Sequence, residues 1–152
     1  MPELVVRIEE GTHMKITNLW RTLLIAGIVV WPLIGDTTDR KTPTAPEEFL
    51  KMANPVTPTA EMLKEAATIY DSRCSKCHGS GGNGKGSATK DLDVKPRDYT
   101  DKSLMRTIPD GQLLWVIANG SDPDTTEMKG YKKKLSEEQM WSLVHYIRAF
   151  AQ

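Results

Sequence analysis

Cys74, Ser75, Lys76, Cys77 and His78 place two thiols three positions apart with an imidazole directly after the second. No other stretch constrains the chain as tightly. On a single helical turn the two sulfurs can each add to a vinyl group of a porphyrin, and the next residue then lies beneath the ring as a proximal iron ligand. The same spacing also serves redox disulfides and half of a zinc site. Cys74 and Cys77 are the only cysteines in 152 residues, which excludes a four-thiolate zinc site. The βαβ surroundings of a thioredoxin-like motif are also missing. One covalent haem c, attached through Cys74 and Cys77 with His78 on iron, is therefore expected.

A chain of this length fits one domain with accessories. Lys plus Arg and Asp plus Glu both number 20, so no overall basic field points to nucleic acid, and a charged partner must meet a local patch. Residues 1–13 are polar, unlike the apolar segment beyond them. With Gly11, Thr12, His13 and Met14 they read as an extraneous or mis-assigned start and are set aside.

Residues 14–35 read as a signal peptide or membrane anchor. The uncharged run 22–35 would span about 21 Å as a helix, short of the roughly 30 Å hydrocarbon layer, as a cleaved signal peptide would be. Against cleavage, no small-x-small site comes after it, and residues 16–35 are long enough to span if Arg21 snorkels, which favours an uncleaved anchor. In both cases Lys15 and Arg21 keep the N-terminus inside and the rest is exported. Residues 36–57, with Pro43, Pro46 and Pro55, read as a Pro/Thr-rich linker. Within it residues 47–53 can form a turn or two of helix carrying Phe49, Leu50 and Met52 onto the domain, or remain a disordered spacer.

Residues 58–152 carry helical signals and no strand signal, so the class is all-α. A first helix should begin with Thr57 as N-cap and Pro58 at its first position, with Met62, Leu63, Ala66, Ile69 and Tyr70 on its core face, ending at Cys74. The stretch Gly79 to Gly86 approaches a phosphate loop but has glycine where serine or threonine would hold magnesium, so it reads as a turn around a bulky group. Residues 92–100 read as loop, and Asp101 or Ser103 can cap a short helix around Leu104 and Met105. Leu113, Leu114, Val116 and Ile117 mark a helix that opens after Asp110 and stops at Asn119 and Gly120. Ser136 and Gln139 form a capping box for a last helix with Met140, Leu143, Val144, Ile147 and Phe150 as its stripe, and Trp141 and Tyr146 beside it.

A histidine alone leaves iron open for gas or peroxide chemistry, whereas a second protein ligand makes an electron carrier. Met62 and Met140 lie on core stripes, where methionine usually fills gaps, and Met105 lies in or beside a helix. Met128, in the loop before the last helix, is best placed to reach iron. His145 reads as a surface or packing residue and His13 is set aside with its segment.

Residues 54–150 resemble the bacterial class I cytochrome c domain. The resemblance rests on Tyr70 with the CxxCH and Gly79, the glycines 81–86, the stretch 95–100, the helix 110–120, the stretch 128–131 and the helix 135–147. It implies the cytochrome c fold, three to five helices around one covalently bound haem, and Met128 as distal ligand. It also implies that Tyr70 and Tyr146 belong to the crossing of first and last helices, and that the Pro96 carbonyl accepts a bond from His78 Nδ1. The implied function is single-haem electron transfer in a periplasmic respiratory chain, by a tethered carrier or a haem subunit of a larger membrane complex. If Met128 is not a ligand, an open-site haem protein is the alternative. Lys129, Lys132, Lys133 and Lys134 resemble the lysines by which such cytochromes dock on acidic partners, or form a solvated run before a helix. Two departures stand out: Ala66 where the family often has glycine at the crossing, and Lys129 where proline usually comes after the ligand methionine.

Overall fold

The computed structural model describes residues 43–121 and 126–152. The expected signal peptide or anchor and residues 36–42 of the expected linker lie outside the described residues. Among the described residues there are six α-helices and no strand: α1 (Glu47–Leu50), α2 (Ala60–Arg73), α3 (Ser75–His78), α4 (Lys102–Thr107), α5 (Asp110–Asn119) and α6 (Glu137–Ala149), with a 3-10 turn at Ser87–Thr89. The count exceeds the expected three to five because α1 and α3 are each only four residues long. No helix among them is long and apolar enough to cross a membrane.

The helix ends obey local chemistry. Ser136 Oγ accepts from the Gln139 amide, and the Gln139 side chain accepts from the Ser136 amide, closing the capping box of α6. Asp101 accepts from the Leu104 amide at 3.0 Å and starts α4. At α2 the cap is Thr59, whose hydroxyl accepts from the Met62 amide at 3.2 Å. This corrects the expected Thr57 cap, and Pro58 stands just outside the helix. Either threonine has the right chemistry, and the one whose oxygen reaches a free amide determines the start.

Helices α2 and α6 pack against each other. Ala66, Tyr70, Trp141, Leu143 and Val144 are essentially inaccessible there. Tyr70, Tyr146 and Phe150 stack edge on tilted edge at centroid distances of 5.2 to 5.3 Å, a geometry that aromatic rings prefer over face-to-face contact. Helix α5 adds Leu113, Leu114 and Ile117 to the same core, and α4 adds Met105.

The described part of the linker lies along α5 and α6 as a strap. Gln112 bonds it twice, accepting from the Ala45 amide at 2.8 Å and donating to the Pro43 carbonyl at 2.9 Å. Asn54 Nδ2 donates to the Trp141 carbonyl at 2.9 Å, and His145 Nε2 donates to the Val56 carbonyl at 2.6 Å. Phe49, Met52 and Val56 pack on the core. Gly111 makes this possible, since a Cβ there would run into the Phe49 carbonyl.

Candidate functional site

Helix α2 ends at Arg73, Cys74 serves as its C-cap, and α3 starts at once, so the motif sits on a corner between two helices. Cys74 and Cys77 are each partly buried, and His78 is 8% exposed. Burial pushes the Cys74 thiol up to about 11, opposed by the charge of Arg73. Tyr70, through its hydroxyl, donates to the Gly79 carbonyl at 2.9 Å, tying the corner back to the α2/α6 crossing. Burial raises that phenol above its ordinary value.

The imidazole has a neighbour that sequence reasoning missed. The Tyr99 ring lies parallel to it, 4.7 Å between centroids and 12° between planes. The Tyr99 hydroxyl is 3.4 Å from Nε2. Burial raises this phenol too, so it stays neutral. The Tyr99 amide donates to the Gly82 carbonyl at 2.7 Å, which brings residue 99 back over the motif. Helical or strand periodicity could not signal this, because the loop before it has neither.

The chain beside the imidazole carries Pro96 and Arg97, both on the wall of the site. Nδ1 faces the carbonyl of Arg97 at 3.4 Å, a long contact. The Pro96 carbonyl is turned toward Gly84, where a Cβ would come within 2.6 Å of it. The Arg97 carbonyl lies on the same approach, 3.3 Å from that Cβ position.

The methionine loop is held from two directions. Gly120, at φ +84, ends α5 and forms an antiparallel bridge with Lys129. The Ser121 amide donates to the Met128 carbonyl at 3.1 Å, and the Tyr131 and Lys132 amides donate to the Ile117 and Ala118 carbonyls. A Cβ at Gly120 would stand 2.5 Å from the Met128 carbonyl oxygen, so the approach needs glycine. Tyr131 donates from its hydroxyl to the Arg73 carbonyl at 3.1 Å, which joins this loop to the residue before Cys74.

These segments enclose one cavity of about 230 Å³. Cys74, Cys77, His78, Pro96 and Met128 all line it, and Met128 is the only methionine among the lining residues. Met105 and Met140 are instead buried in the core, and His145 serves the strap. The walls are otherwise mainly apolar, with Ile69, Val116, Ile117 and Leu143 among them. The donors suit a covalent haem c: two thiols for two vinyl groups, an imidazole and a thioether for iron, and an apolar enclosure. A buried Ser121 hydroxyl on the same wall, without a partner among the described residues, also suits a group that fills the space. No cluster of three His, Cys, Asp or Glu side chains arranged to hold a bare metal ion occurs among the described residues. Lys129, Lys132, Lys133 and Lys134 are exposed beside the loop, and Lys132 Nζ donates to Asn119 Oδ1 at 2.9 Å.

No curated protein matches the chain. Among solved structures, a chain of the reducing HAO-like protein complex Kustc0457/Kustc0458 of Kuenenia stuttgartiensis is 24% identical with a TM-score of 0.56, over 72% of this chain and 50% of that one. That likeness is one of fold, and this chain spans only half of its relative's length. The KustC0563 c-type cytochrome is 26% identical over 57% of this chain and 98% of its own, with a TM-score of 0.47. The family described as cytochrome C oxidase, cbb3-type, subunit III matches residues 61–147, more than half of the sequence and both segments that meet at the cavity. On that match the chain belongs to the cbb3-type cytochrome c oxidase subunit III family and is a monohaem cytochrome c domain, built for haem-based electron transfer.

Proposed function

We propose that the chain is a single-haem electron carrier whose iron is held by His78 and Met128, with the haem joined covalently to Cys74 and Cys77. The observation that carries this reading is that one cavity gathers the CxxCH corner and a single methionine from a distant loop. Haem c, when bound, supplies a one-electron Fe(III)/Fe(II) couple. The chain does the rest. The Arg97 carbonyl facing Nδ1 orients the imidazole and supports its basicity, and the Tyr99 hydroxyl, 3.4 Å from Nε2, gives up that place to the iron. The backbone bonds between residues 117–121 and 128–132 hold the thioether in place, and a thioether ligand favours the reduced state. The apolar walls exclude water, so oxidation and reduction require little rearrangement.

In this reading residues 58–152 are the cytochrome domain and 36–57 the linker, of which 43–57 serve as strap. Residues 14–35 are a signal peptide or membrane anchor, and 1–13 an extraneous or mis-assigned start. The domain works on the periplasmic side of the bacterial inner membrane, as a tethered carrier or, as the family suggests, as the haem subunit of a larger respiratory complex. Lys129, Lys132, Lys133 and Lys134 form the docking face for an acidic redox partner, so association with that partner should slow as salt is raised. A rate indifferent to ionic strength would remove the docking role.

Visible and near-infrared spectra of the purified holoprotein test the ligands. The oxidised form should show a sulfur-to-iron charge-transfer band, lost in Met128→Ala, and the reduced form should resist carbon monoxide. A missing band, or rapid carbon monoxide binding, refutes the closed-iron carrier in favour of an open haem site.

A further inference from the structure

Ser121 Oγ is the only buried side-chain oxygen or nitrogen among the described residues that has no hydrogen-bond partner. A buried donor left unmatched is unfavourable. The position makes physical sense if an acceptor stands within reach once the cavity is filled.

Backbone pairing indicates which acceptor. Gly120 and Lys129 form an antiparallel bridge, and the Ser121 amide donates to the Met128 carbonyl at 3.1 Å. Ser121 and Met128 are therefore direct opposites across the pair. Such residues present their side chains to the same face, with Cα atoms about 5.5 Å apart when they share a backbone bond. Both line the cavity. On Met128 the carbonyl is already engaged by Ser121, and the amide faces Thr126 Oγ1 at 3.4 Å. The sulfur is the remaining polar atom.

We infer that Ser121 is a positioning residue, its hydroxyl donating a hydrogen bond to the Met128 sulfur when that thioether is on iron. This rests on the proposed Met128 ligation. A thioether accepts such a bond only weakly. A donor on the sulfur withdraws electron density from it, makes it a poorer ligand for ferric than for ferrous iron, and raises the potential. The same bond fixes the methionine in a loop that has lysine where proline would otherwise stiffen it.

The test compares holoprotein wild type with Ser121→Ala, Ser121→Thr and Met128→Ala, reading the near-infrared band and the midpoint potential over a range of pH. Ser121→Ala should keep the band but shift its wavelength. It should also shift the one-electron equilibrium about threefold toward the oxidised form, about 28 mV at 59 mV per tenfold. Ser121→Thr should restore both. If Ser121→Ala matches wild type while Met128→Ala abolishes the band, the inference is overturned and the ligand reading stands. A potential altered only in its pH dependence, with the band unmoved, would assign the hydroxyl to a haem carboxylate and overturn it as well. A wild-type protein without the band would defeat the ligand reading, and this inference with it.

Discussion

Replacing Arg148 with methionine removes a guanidinium that ties three helices together. From α6, Nε and Nη2 donate to Asp110 Oδ1 at 2.8 and 2.7 Å, while Nη1 and Nη2 reach the carbonyls of Met105 and Ile108. Methionine keeps the apolar stem and deletes every donor. A bond from a charged group is worth about 1.5–3 kcal/mol, but bonds from one group share a single desolvation and do not add. Breaking a fully buried pair costs about 3–5 kcal/mol. The side chains here keep 26% and 30% exposure, so water recovers part of the loss and about 2–4 kcal/mol is expected. Denaturant unfolding of the holoprotein, monitored by far-ultraviolet circular dichroism and Soret absorbance, should show a lower midpoint with an unchanged slope. Adding Asp110→Asn should cost little more, because its partner is already gone. A loss below about 0.5 kcal/mol, or one that adds fully with Asp110→Asn, would refute the reasoning. The optical spectrum should not change, since Arg148 is not among the residues lining the cavity.

Three further outcomes rest on the same physics. Tyr70→Phe loses the bond to the Gly79 carbonyl and should cost about 1–2 kcal/mol. Because burial raises the Tyr70 phenol, folding favours its neutral form. That stability is complete below about pH 10 and is lost as pH rises beyond it, so unfolding measured across this range should be less pH-dependent in the variant. Gly120→Ala places a Cβ at positive φ beside the Met128 carbonyl, which should cost about 1–2 kcal/mol and weaken the near-infrared band; an unaltered band would show that the methionine loop tolerates the shift. Asn54→Ala frees the strap from Trp141: amides of residues 43–57 should exchange faster, at a cost of about 1 kcal/mol, and unchanged protection would mean that apolar packing alone holds it.

Features legible in the sequence have their chemistry within one turn of chain. The Ser136 and Gln139 capping box, the Asp101 cap and the stop at Gly120 each depend on partners three or four residues away. Thr57 is mistaken for the cap of α2 because two threonines around Pro58 are locally equivalent and only the formed helix distinguishes them. Which carbonyl of residues 96 and 97 serves His78 is not legible in a loop without periodicity; in the fold the Arg97 carbonyl faces Nδ1 at 3.4 Å.

From its sequence alone the protein was committed to a covalently attached porphyrin and to an all-α order, because thiol spacing, helix stripes and caps are properties of contiguous chain. Only the tertiary structure decided that Met128, and no other methionine among the described residues, shares the cavity with Cys74, Cys77 and His78. It alone stacked Tyr99 on the imidazole, bound the strap to α5 and α6, and paired the backbone of Ser121 with that of Met128. Those relations come from loop closure and packing between distant segments, where the free energy belongs to the assembled core and no local pattern of residues encodes it.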